Sequence, residues 1–219
     1  TEVIAASGPL AGKPLYLDLQ SEKYYWLGTY EPQLAEMLLK VCKPGMVVYD
    51  VGANIGYHSL IFAFAVGKTG KVFAFEPLPT NVERIRKHIA LNKLEDTLTV
   101  MPYAVADNCR PATFFVHQEN TMGKLEGSIG RDQVYANQIT VESISLDELC
   151  FARGYPLPNI VKMDIEGGAV RAIPGMTQVI ATAKPILLIE LHGPQEAEMV
   201  WGALSVNHYS VFRLADPHT

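Results

Sequence analysis

The chain has 219 residues, 48% of them hydrophobic and 19% charged, which suits one large α/β domain and is too apolar for wholesale disorder. Eighteen Lys and Arg against 23 Asp and Glu give a formal net charge of −5, with no basic run, which disfavours a polynucleotide partner. Cys42, Cys109 and Cys150 are scattered without zinc or disulfide spacing, and no apolar stretch is long enough to span a membrane, so a soluble, cytoplasmic protein without a membrane partner is expected.

Residues 1–28 are punctuated by Pro and Gly and read as an N-terminal extension to a domain over 29–219. Their aromatic cluster, Tyr24, Tyr25 and Trp26, forms either a packing patch or one wall of an acceptor pocket. "PQLAEMLLKVC" from Pro32 puts Leu34, Met37, Leu38 and Val41 on one helical face, and "KPG" stops it. "MVVYDV" is a buried strand, "YHSLIFAFAV" the helix after it, and "KVFAFE" the next strand. "TNVE" (Thr80–Glu83) has the form of a capping box, and the helix it opens carries Val82, Ile85 and Ile89 inward, with Arg84 and His88 on the solvated face. "LTVMPYAV" is a third strand with an extension. "ATFFV" and "QITVESIS" alternate as a strand pair around a long polar segment, 118–138, which has the length of a lid. "LDELCFARG" is a short helix, "NIVKMDI" a strand, and "GAVRAIPGMTQVIATA" a helix containing Pro174. "KPILLIELH" is a strand, "EAEMVWGALSVN" a helix with Trp201 in the core, and "YSVFRL" a last strand.

Strands apolar on both faces, separated by amphipathic helices, define a doubly wound, mostly parallel sheet with helices on both sides. Ligands of such sheets bind at the carboxyl ends of the strands. The polar residues there are Asp50, Glu76, Asp107, Asp164, Glu190 and His192.

The turn "DVGANIG" lets backbone approach a ligand at Gly52 and Gly56, at the positive end of a helix. A dinucleotide turn needs glycine where this chain has Asn54, and no P-loop lysine follows. Glu76, 24 residues beyond Gly52, is placed to accept the hydroxyls of a ribose. Ribose recognition without a pyrophosphate, among acids such as Asp50 and Glu31, suits a cationic nucleoside such as S-adenosylmethionine.

The segments "GTYEP", "DVGANIG", "FEPLPTNVERIRKHIALN", "LDEL", "NIVKMDIEGG" and "IELH", in this order over Gly28–Leu214, resemble the FkbM family of S-adenosylmethionine-dependent methyltransferases. The resemblance implies a Rossmann-like class I methyltransferase sheet of seven strands, one of them antiparallel. It implies that Asp50, Gly52, Ala53, Asn54 and Gly56 cradle the methionine part of the cofactor, with Glu31 reaching it from the N-terminal side and Glu76, with Pro77, holding the ribose. It also implies an adenine contact along Ala104, Val105 and Asp107. His58, just after the turn, is a further candidate for the cofactor carboxylate. One departure stands out: the family has an acid after "EGxE" where this chain reads "EGGAV".

A hydroxyl acceptor must lose its proton during in-line methyl transfer, so a base or a metal belongs nearby. His192 is the first candidate base, since an unperturbed imidazole titrates near 6.5. Asp164 and Glu190 share its end of the sheet, and Asp164 is also a candidate cofactor contact. The pairs Asp164/Glu166 and Glu190/His192 can hold a divalent cation or recognise an ammonium group, but no metal is assigned. The expected activity is O-methylation of a hydroxylated small molecule, a sugar or polyketide. The rivals are an NAD-type oxidoreductase and a non-catalytic nucleoside- or protein-binding module. The acceptor and the oligomeric state are left open.

Overall fold

A computed structural model describes residues 1–117, 122–129 and 135–214. An antiparallel ribbon, β1 (Glu2–Ile4) and β2 (Pro14–Tyr16), is followed by helices α1 (Lys23–Leu27) and α2 (Pro32–Val41). Strand and helix then alternate: β3 (Val47–Val51), α3 (Tyr57–Val66), β4 (Lys71–Phe75), α4 (Pro79–Asn92) and β5 (Leu98–Met101). After β6 (Ala104–Val105), β7 (Pro111–His117), β8 (Gly123–Leu125) and β9 (Tyr135–Ile144), one wide helical turn spans Glu148–Ala152. The chain closes with β10 (Ile160–Met163), α5 (Ala169–Ala172), α6 (Thr177–Ala183), β11 (Ile186–Ile189) and α7 (Pro194–Ser205).

The central sheet has the order β11-β10-β3-β4-β5 and is parallel throughout. The β3–β4, β4–β5 and β10–β11 crossovers are helical and cover the sheet's faces, and β3 and β10 are buried along nearly their whole length. From β3 the chain winds outward through β4 to β5, and later returns on β3's other side to place β10 and β11. The switch point therefore lies between β3 and β10, where a crevice opens beyond the strand ends. A smaller sheet, β6-β9-β7-β8, stands beside β5.

Several expectations are corrected. The described residues form a parallel sheet of five strands rather than seven, and Tyr209–Leu214 is not a strand; Phe212 there is 88% exposed. Alternation records a segment's fitness for a sheet, but no described strand offers Tyr209–Leu214 a ladder. Pro102 divides "LTVMPYAV" between two sheets, β5 pairing β4 and β6 pairing β9. Pro174, lacking an N–H, breaks its helix into α5, a 3-10 turn over Ile173–Met176, and α6. The capping box is not formed: α4 starts at Pro79 with Leu78 as N-cap, and the Leu78 N–H goes to Glu76 Oε1 at 2.9 Å.

His88 is not solvated but 1% exposed. Tyr16 N–H donates to its Nε2 at 2.9 Å, and its Nδ1 lies 2.8 Å from Ile55 O. Arg84 is likewise covered, paired through both terminal nitrogens with Glu22 at 2.7 and 2.6 Å. Residues 1–28 thus lie over part of α4 and cover Arg84 and His88, while Glu83, Arg86 and Lys87 stay exposed. Trp201, expected in the core, is 47% exposed on α7. No helix among the described residues is long and apolar enough to cross a membrane. Of the expected lid, 118–121 and 130–134 lie outside the described residues, and the rest contains β8 and the start of β9.

Candidate active site

The crevice is built on the turn between β3 and α3. Gly52, Asn54 and Gly56 all have left-handed backbones, at φ +78°, +50° and +86°. Gly52 is required on a second ground: a Cβ there would stand 1.8 Å from the Asp164 carbonyl oxygen. The Gly52 and Ala53 N–H groups both donate to Phe75 O at 3.0 Å, which fixes the turn against the end of β4.

Beneath the turn lies an ion pair that sequence reasoning missed. Lys162, the one charged residue of β10, brings Nζ to 3.4 Å from Asp50 Oδ1 and 3.8 Å from Asp164 Oδ2, and donates to Gly52 O at 3.2 Å. Asp50 is fully buried and also accepts from Ser59 Oγ at 2.6 Å. The signal was present: a lysine inside "NIVKMDI" is a charge in an otherwise buried strand, and such a charge needs a partner.

Of the predicted cofactor residues, Glu31, Gly52, Asn54, Glu76, Pro77, Ala104, Val105 and Asp164 line the crevice, as does Glu190. Asp50, Ala53, Gly56 and His58 lie behind the turn. Asp107 is turned away to Arg171, whose Nη2 donates to its Oδ1 at 2.8 Å. Tyr30 is the aromatic residue of the N-terminal side that reaches the crevice, whereas Tyr25 is core. The opposite wall is formed by Phe114 on β7, Met122 before β8 and Leu125 on β8; the last two belong to the 118–138 segment expected as a lid, whereas Phe114 was not expected. Their hairpin is fastened by the Ile129 N–H to Gly167 O at 3.1 Å, and by Arg171 Nη1 to Glu126 O at 3.2 Å.

Glu76 Oε2 accepts the Asn54 N–H at 2.8 Å and Oε1 the Leu78 N–H, so one carboxylate ties together the two loops that frame the crevice. Burial raises its pKa to about 7, against hydrogen bonds that lower it. His58, pushed down to about 3 by burial and by Lys162, is neutral. Its Nε2 lies 3.6 Å from Glu31 Oε2. Burial likewise raises Glu31 above the usual carboxylate range.

At the far end, Asp164, Glu190 and His192 come together. The His192 side chain is 3% exposed, with Nε2 at 3.6 Å from Asp164 Oδ1, 3.6 Å from Glu190 Oε1 and 3.7 Å from Glu166 Oε2. Behind the ring, the Gly167 N–H points at Nδ1 at 3.3 Å. Buried Glu196, also missed from sequence, accepts the His192 and Ala169 N–H groups at 2.6 and 3.1 Å. The Glu196 carboxylate, opposed by burial and helped by the other acids, holds the imidazole above its ordinary value. Burial and then Asp164 raise Glu190.

Among the described residues, Glu31 Oε2 and Asn54 Oδ1, both on the crevice wall, are buried without a hydrogen-bond partner, as is His58 Nε2 behind the turn. Orphaned polar atoms around one turn call for polar groups of a ligand. Beyond them, Phe75, Leu78, Tyr103 and Val105 give the crevice an apolar end. A polar head and a flat apolar slot separated by Glu76 fit a nucleoside with an amino-acid tail.

A model of the methyltransferase FkbM domain matches residues 50–211. The chain belongs to the FkbM methyltransferase family. The hexuronic acid methyltransferase AglP of Haloferax volcanii is 26% identical over 80% of this chain and 68% of its own length. A protein named as an uncharacterized RNA methyltransferase, YljE of Lactococcus lactis, is 28% identical over 72% of this chain, which spans 36% of it. The crystal structure of methyltransferase FkbM from Methylobacillus flagellatus superposes with a TM-score of 0.52 at 18% identity, covering 88% of this chain and 50% of that one. That likeness bears on the fold, and it agrees with the class I methyltransferase arrangement of strands and crevice.

Proposed function

We propose that this FkbM domain transfers a methyl group from S-adenosylmethionine to a hydroxyl of a small molecule, a sugar or a related natural product. The observation that carries the reading is the adjacency, in one crevice, of the orphaned polar atoms at the glycine turn and the carboxylates of Asp164, Glu166 and Glu190, which His192 backs from outside the lining. When bound, the cofactor supplies an electrophilic methyl carbon on a sulfonium sulfur, which leaves as a neutral thioether. The protein's own work is positional. The glycine turn, with the orphaned Asn54 Oδ1, faces the cofactor's amino-acid tail, Glu31 faces its positive charge, and Glu76 accepts ribose hydroxyls. Ala104 and Val105 border the base. The proton that the acceptor hydroxyl gives up passes to the cluster of Asp164, Glu190 and His192.

A small acceptor is favoured over a polynucleotide because Glu31, Asp164, Glu166 and Glu190 all line the crevice, a poor surface for phosphates. The AglP name supports a sugar. Calorimetry with S-adenosylhomocysteine and with NADH tests the donor: NADH binding alone overturns the reading. Radiolabelled methyl transfer into a panel of hydroxylated sugars and natural products tests the acceptor, and label found only in RNA would refute a small one.

A further inference from the structure

We propose that Asp164, Glu190 and His192, with Glu166 beside them, form a binding site for one divalent cation of the Mn²⁺ or Mg²⁺ class. One oxygen from each of two carboxylates and one imidazole nitrogen, from Asp164, Glu190 and His192, lie within 4.8 Å of one another. The inference rests on the methyl-transfer reading for its purpose, but not for its geometry.

His192 Nε2 is the centre of the cluster. Its ring is almost wholly buried, and it points at three carboxylate oxygens at 3.6, 3.6 and 3.7 Å. These separations are too long for hydrogen bonds. They are the separations of atoms that share an ion: ligands about 2.2 Å from a common centre, at cis or tetrahedral angles, stand roughly 3.1–3.6 Å apart.

Charge points the same way. Three carboxylates face one imidazole, and the nearest lysine, Lys162, is engaged by Asp50 and by Gly52 O as well as by Asp164. The ring is also braced from behind. Glu196 Oε2 is 3.8 Å from Nδ1 and is fixed by two backbone N–H groups. Nδ1 accepts the Gly167 N–H at 3.3 Å in this structure, so ligation through Nε2 requires Nδ1 to exchange that contact for a proton donated to Glu196, the carboxylate–histidine arrangement that orients metal ligands. Carboxylate oxygens with a single imidazole suit Mn²⁺ or Mg²⁺. An ion here would lie at the carboxyl ends of β10 and β11, open to the crevice through Glu190 and able to take acceptor hydroxyls as further ligands.

The test uses the untagged protein and Mn²⁺ followed by electron paramagnetic resonance, without an acceptor. One equivalent should bind with Kd below about 0.1 mM, within the range of oxygen-rich sites. The double substitution Glu190→Gln, His192→Ala should weaken binding at least tenfold while S-adenosylhomocysteine still binds by calorimetry, which shows that the variant is folded. No stoichiometric Mn²⁺ signal up to about 1 mM, or equal binding by the variant, overturns the proposal and returns His192 to the role of a free base. Failure of wild type to bind S-adenosylhomocysteine would strike the methyl-donor reading instead, and the Mn²⁺ titration would still decide the cation site.

Discussion

Lys162 Nζ stands 3.4 Å from Asp50 Oδ1 beneath the glycine turn, and neither side chain has meaningful contact with water. Removing one partner of such a pair leaves a buried charge uncompensated, at a cost of about 3–5 kcal/mol. Lys162→Met should therefore lower the urea midpoint sharply. Lys162→Met combined with Asp50→Asn should recover much of that loss, because no charge is then stranded. Equal loss in the single and double variants would show that the pair is not coupled.

Glu76 has its carboxyl raised from 4.5 to about 7 by burial. For an acid whose pKa is raised on folding, the folded state prefers the protonated form. The contribution is favourable below 4.5 and is lost as pH rises toward 7. Over that window the linkage amounts to about 3 kcal/mol. Glu76→Gln should erase this component, so its stability relative to wild type should improve steadily from pH 4.5 to 7.5. The same variant should bind S-adenosylhomocysteine at least tenfold more weakly. A stability difference flat with pH would refute the assignment.

His88 gives the opposite slope. Burial lowers its pKa from 6.5 to about 4, so the unfolded chain takes up a proton that the folded chain refuses. Stability is complete above 6.5 and declines as pH falls toward 4. His88→Leu should remove this acid sensitivity. It should also cost about 2–4 kcal/mol at pH 8, since the Tyr16 N–H and Ile55 O lose their partner. Urea unfolding at pH 5 and pH 8 reads both effects.

Arg171 holds Asp107 and Glu126 O, fastening the β7–β8 hairpin over the crevice. Arg171→Ala removes a partly exposed contact and should shift global stability by less than about 1 kcal/mol. Hydrogen exchange of the Glu126 and Ile129 amides should nevertheless accelerate by an order of magnitude or more, with faster release of S-adenosylhomocysteine. Unchanged exchange at those amides would mean that the arginine does not fasten the hairpin.

Local patterns carried the α/β alternation, the glycine turn and the gathering of Asp164, Glu190 and His192, because apolar strands and their polar ends are written in consecutive residues. What was lost depends on distant segments. His88 and Arg84 looked solvated because helix periodicity cannot foresee that residues 1–28 fold back over α4. Asp107 looked like a cofactor contact until Arg171, 64 positions along, claimed it. The place of Phe114 in the hairpin wall was invisible, since nothing in "ATFFV" tells which side of a second sheet will face the crevice. Lys162 was legible but passed over, its charge being read as part of a motif and not as a demand for a counter-charge.

The contact of Gly52 with the Asp164 carbonyl has a further meaning. On the methyl-transfer proposal, the loop that would receive the donor and the strand end that carries the acceptor-side acids touch backbone to backbone, with no side chain between them to absorb a change. Neither half can be reshaped without disturbing the other. Descendants of such a chain that take up new acceptors would be expected to vary the hairpin of β7 and β8, the wall that can be rebuilt while the donor seat stays as it is.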